Sequence, residues 1–131
     1  MTERDIRDYL QDILTTIEMV DQFIDGMSFD DFQNDPKTVF AVTRAIEIIG
    51  ESTKKIPMPL REQYPEIPWK GVTGMRDKVI HTYFGVKLNV LWDTTQQDLK
   101  RLKPVIQKML NQLEGNSQQS DKTRSYAELS K

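Results

Sequence analysis

The chain has 131 residues with no cysteine and one histidine, long enough for a single domain to bury a stable core unaided. The missing cysteines exclude a disulfide framework, thiolate metal sites and cysteine nucleophiles, and they suit a reducing, cytoplasmic setting; the lone histidine excludes a multi-histidine metal site within one subunit. Net charge is −2, but residues 1–35 carry ten Asp/Glu against two Lys/Arg, whereas residues 36–131 carry ten against sixteen; the asymmetry allows an anion-facing surface on the later two-thirds, although on charge alone plainly solvated faces are the better reading.

The opening Met1-Thr2-Glu3-Arg4-Asp5 is too charged for a signal peptide. Ile6, Leu10, Ile13, Ile17, Val20 and Ile24 then recur every three or four residues, the stripe of an amphipathic helix from Thr2 to about Asp25. Thr2 with Asp5 suggests its capping box and Gly26 its stop. Ser28 to Gln33 suits one turn with Phe29 and Phe32 facing in. Asp35-Pro36 is an N-cap followed by proline at the first helical position. It opens a helix striped by Val39, Val42, Ile46, Ile49, Thr53 and Ile56, which Pro57 and Pro59 end. Residues 59–68 hold one short turn.

A third helix is expected from Trp69 to about Tyr83 on the stripe Val72, Met75, Val79, Tyr83. A fourth covers roughly Asn89 to Leu113, with Leu91, Trp92, Thr95, Leu99, Leu102, Ile106, Met109 and Leu113 inward and an interruption near Lys100–Lys103 caused by Pro104. Trp69 and Trp92 flank the third helix and suit locking its ends into the core. No stretch alternates as a strand and no apolar run approaches the roughly 18 residues of a membrane span. The expected fold is all-α, an antiparallel up-down bundle of four to five helices over residues 1–114, with 115–131 a polar, mobile tail.

The only histidine lies in Gly74-Met75-Arg76-Asp77-Lys78-Val79-Ile80-His81-Thr82-Tyr83-Phe84-Gly85. On an ideal helix His81 falls about 180° from Val72, opposite the inner stripe, with Asp77 and Gly74 on its own face and Arg76 about 140° away. A histidine projecting away from its core, beside a side-chain-free glycine, suits a partner helix or a ligand. Spacing alone leaves this no better supported than an idle surface histidine. Arg76 and His81 would meet most easily in a cleft between two subunits. A carboxylate metal bundle would want Glu three residues before the histidine, where Lys78 stands. Glu47 and Glu51 read best as solvated positions or as partners of Lys54 and Lys55.

The stretch Pro68 to Val86, with Ala45-Ile46-Glu47-Ile48-Ile49-Gly50-Glu51 upstream and Val90-Leu91-Trp92-Asp93-Thr94 downstream, resembles the HepT-like proteins of the HEPN superfamily, the toxin halves of HepT–MntA toxin–antitoxin pairs. The likeness covers about residues 1–113. Its specific part is Arg-x-x-x-x-His-x-Tyr, filled here by Arg76, His81 and Tyr83, with Asp77 where the family most often has Asn. The resemblance implies a HEPN-like bundle and a metal-independent endoribonuclease that needs no cofactor. It implies a homodimer whose cleft lies between the two signature helices, acting on RNA and not DNA, with Arg76 and His81 catalytic and Asp77 supporting. It further implies that an MntA-like nucleotidyltransferase antitoxin silences the enzyme by placing AMP on Tyr83. The alternative is a non-catalytic helical adaptor that binds a nucleotidyltransferase or a nucleotide.

Overall fold

A computed structural model describes residues 4–75 and 87–129, with side chains as far as residue 115. Among these residues every regular element is helical and the helices pack antiparallel. They are α1 (Ile6–Phe23), α2 (Phe29–Gln33), α3 (Pro36–Lys54), α4 (Met58–Glu62), α5 (Trp69–Thr73), α6 (Leu88–Asp93) and α7 (Leu99–Leu129); a wide π-turn, Thr94–Asp98, joins the last two. None of the helices searched is long and apolar enough to cross a membrane.

The stripes read from the sequence are the faces that meet. Ile13, Ile17 and Val20 of α1 close on Val42, Ile46 and Ile49 of α3 and on Leu102, Ile106 and Met109 of α7, all at most 1% exposed. Each such side chain is worth about 1.5–3 kcal/mol for leaving water. Thr53, fully buried on α3, donates its hydroxyl to the Ile49 carbonyl at 2.7 Å, and no described buried side-chain polar atom lacks a partner. At the α1–α2 turn Gly26 takes φ +73°, where an L side chain would be strained although a Cβ would touch nothing within 4 Å.

Three expected boundaries move, each for a local reason. The first helix starts at Ile6 with Asp5 as its N-cap: Asp5 accepts from the Asp8 amide and Asp8 accepts from the Asp5 amide, a reciprocal box three residues further on than Thr2. The third helix does not run unbroken from Trp69. Helix α5 ends at Thr73 with Gly74 as C-cap, and both the Gly74 amide and the Thr73 hydroxyl donate to the Lys70 carbonyl at 3.1 Å. The break expected beside Pro104 instead precedes it. Pro104 sits inside α7, and the helix widens at Thr94–Asp98, where the Thr94 hydroxyl donates to the Val90 carbonyl at 2.9 Å and the Thr95 hydroxyl to the Trp92 carbonyl at 2.6 Å. Threonines that bond back in this way compete with the helical ladder and bend it. Beyond Leu113 the backbone of α7 stays helical to Leu129.

Two aspartate caps make stability depend on acid. The Asp8 amide holds the Asp5 carboxyl below its ordinary 3.8, with Arg7 adding to it, and the Thr38 hydroxyl and amide do the same to Asp35. A carboxyl whose folded pKa is depressed adds stability above its unfolded pKa and loses it as pH falls through the folded one. The melting temperature is therefore expected to fall below about pH 4. Asp35→Asn, which still caps but does not titrate, should flatten that dependence while leaving neutral-pH stability nearly unchanged; an unaltered pH profile in thermal melts would refute it.

Candidate active-site region

The signature segment is entered through α5 and left through α6, and both are tied down. Trp69 opens α5; its indole N–H donates to the Tyr64 carbonyl at 2.9 Å and its amide to the Ile67 carbonyl at 2.9 Å. Tyr64 and Ile67 are each 4% exposed, and the Lys108 ammonium lies 5.6 Å from the Tyr64 ring centroid. Burial pushes the Tyr64 hydroxyl up, Glu66 adding to it, so it stays protonated. Val72 and Met75 then face the core as the stripe predicts. On the far side Leu91 is buried and Trp92 packs on the α2 aromatics, 5.2 Å from the Phe32 ring and 6.4 Å from Phe29. Trp69 thus anchors the start of the expected third helix and Trp92 anchors α6; the far end of the third helix lies outside the described residues.

Arg76, Asp77, His81 and Tyr83, the four candidate site residues, lie outside the described residues. The α3 carboxylate Glu47 pairs with Arg44 at 3.1 Å rather than with Lys54 or Lys55. Among the described residues no three His, Cys, Asp or Glu side chains gather as a metal site would need.

A cavity of about 380 Å3 opens between α3, α5, α6, the π-turn and the start of α7. Its floor is apolar and buried: Ile46, Ile67, Val72, Met75, Leu91 and Leu102. Its rim is polar, with Asp93, Gln97, Asp98 and Arg101 exposed and Thr94 half-buried. On a regular helix Asp93 and Asp98 would stand about 140° apart. The wide π-turn, closed by the Leu99 amide donating to the Thr94 carbonyl, takes more residues per turn and lets both face one cavity. The sequence signal was the adjacent Thr94-Thr95 pair.

The family described as ribonuclease HepT-like matches residues 13–109. A Thermococcus cleftensis protein named "Probable ribonuclease HepT" is 48% identical over 107 residues, 82% of this chain and 97% of its own length. Two Methanocaldococcus jannaschii proteins, each named "Putative RNase", are 40% identical over 120 residues and 41% identical over 114, covering 92% and 87% of this chain and 99% and 98% of their own. No solved structure matches. A family match across most of the helical core and the whole signature segment, joined by relatives matched over nearly their full length, makes this chain a member of the HepT-like ribonuclease family.

Proposed function

We propose that the chain is a metal-independent endoribonuclease that works as a homodimer and serves as the toxin of a toxin–antitoxin pair. The observation that carries this is the family match over residues 13–109, which encloses the chain's only histidine in the Arg76–His81–Tyr83 pattern. RNA supplies its own nucleophile. In the proposed reaction His81 takes the proton from the 2′-hydroxyl, whose oxygen attacks the adjacent phosphorus; the P–O5′ bond breaks and the 5′-oxygen leaves with a proton. The products are a 2′,3′-cyclic phosphate and a 5′-hydroxyl. An imidazole with an ordinary pKa near 6.5 suits that proton traffic at neutral pH. The Arg76 guanidinium holds the phosphate oxygens as their charge grows, and Asp77 orients His81. The folded unit is residues 1–114, with 115–131 a polar appendage.

One preparation of the purified chain tests the reading. It should sediment as a dimer at micromolar concentration, cut RNA undiminished in EDTA and leave cyclic-phosphate ends. Loss of cleavage in EDTA would overturn the metal-free mechanism, and a monomer would overturn the shared cleft.

Regulation falls on Tyr83 in this reading. A partner nucleotidyltransferase transfers AMP from ATP to the phenolic oxygen and releases pyrophosphate, and the added charge and bulk exclude RNA. Two rival acceptors are poorly placed: Tyr64 is 4% exposed, and Tyr9 lies half-buried with the Arg4 guanidinium 4.9 Å from its ring centroid. Tyr83→Phe should fold normally, take no AMP and stay toxic with the antitoxin present. Intact-mass and peptide mapping checks this; AMP found on another tyrosine of the wild-type chain would refute it.

A further inference from the structure

The cavity beside the π-turn has the shape and chemistry of a base-binding slot. At about 380 Å3 it lies at the small end of the range typical of small-molecule sites, about 300–1,000 Å3. Its buried aliphatic floor offers a flat heterocycle an escape from water and no hydrogen bonds. All selection must therefore come from the rim.

The rim is dominated by acceptors. Asp93 and Asp98 as carboxylates only accept, and the Thr94 hydroxyl already donates its hydrogen bond to the Val90 carbonyl. The donors are the Gln97 amide and the Arg101 guanidinium. Among the four RNA bases only guanine presents two adjacent donors, N1–H and the N2 amino group, next to an acceptor, O6. The carboxylate pair accepts the two donors and the Gln97 amide N–H serves O6. Adenine, cytosine and uracil each place an acceptor where the carboxylates would need a donor, leaving two lone pairs opposed. Arg101 remains for a phosphate oxygen. Its floor includes Met75, the residue before Arg76 in the sequence.

We propose that this cavity is a guanine subsite for the RNA strand, with Asp93 and Asp98 reading the base and Arg101 holding its phosphate. The proposal rests on the ribonuclease reading and extends it to which base of the strand the chain holds.

Calorimetric titration of the full chain with guanosine, adenosine, cytidine and uridine 5′-monophosphates tests it, with RNA cleavage followed in parallel. Guanosine monophosphate should bind about tenfold or more tighter than the other three, the scale on which a well-made two-point base contact discriminates. The paired substitution Asp93→Asn and Asp98→Asn should erase the preference. A plug provides the second variant. Gly71 lines the cavity and a Cβ there meets nothing within 4 Å, so Gly71→Leu should fill the slot without lowering the melting temperature and weaken guanosine monophosphate binding at least about tenfold. Equal binding of all four nucleotides, no binding at millimolar concentration, or guanosine monophosphate affinity unchanged by Gly71→Leu would each overturn the subsite. RNA cleavage with no guanine preference in binding sinks the subsite and leaves the ribonuclease reading standing; selective binding without cleavage does the reverse.

Discussion

His81→Ala should slow RNA cleavage by roughly 10² to 10⁴, the span usually supplied by general acid–base catalysis, and should rescue cells from the growth arrest caused by expressing the chain alone. The variant removes the only imidazole in the sequence, so no neighbouring histidine can take over. Arg76→Lys should also be strongly impaired, because an ammonium keeps the charge but not the planar two-point grip on a phosphate. Single-turnover rates on a labelled RNA separate the two defects: loss of the proton-transfer group lowers the maximal rate, whereas loss of the fork also weakens substrate binding. A His81→Ala protein with wild-type rates would remove His81 from the mechanism, whereas a wild-type chain that cuts no RNA would leave the helical adaptor as the better account.

The second large effect falls on stability. Phe32 is fully buried and its ring lies 5.2 Å from Trp92 at 40° between planes, so one side chain joins α2 to α6. Phe32→Ala should cost about 3–5 kcal/mol, since it removes an aromatic payload and leaves a cavity that the surrounding helices only partly close. Urea unfolding should show the midpoint shifting with an unchanged slope. Phe29, half-buried and 6.4 Å from the same indole, should cost clearly less. A loss below about 1 kcal/mol at Phe32, within reach of ordinary surface changes, would show that the aromatic contact does not hold α6 in place.

Periodicity carried most of the fold into view. A helix repeats every 3.6 residues, so Ile13, Ile17 and Val20, or Val42, Ile46 and Ile49, can share a face only one way, and these are the residues that close the core. Asp35-Pro36 marked the start of α3 because its chemistry is local. Periodicity does not register the competition between a side-chain hydroxyl and the backbone ladder, and this is where the boundaries moved: to the Lys70 carbonyl shared by Thr73 and Gly74, and to the threonine pair that widens the helix after α6. Proline interrupts helices as a rule, but Pro104 is accommodated inside α7 and the helix widens upstream of it. The candidate catalytic residues were legible as a pattern of residue types around one histidine. The cavity was not, because its rim depends on a turn that departs from the repeat.

The two glycines at positions 26 and 71 constrain evolutionary drift in opposite ways. Neither has a neighbour within 4 Å of where a Cβ would stand, so crowding governs neither. Position 26 is held by handedness alone, and random change there is filtered towards the few residues that tolerate a left-handed backbone, glycine first and then asparagine or aspartate. Position 71 lies inside a helix, where glycine is less favourable than alanine by about 0.5–1 kcal/mol. Folding would let almost any residue replace it, so a side chain added at position 71 acts on the open space beside it and not on the packing of the helices.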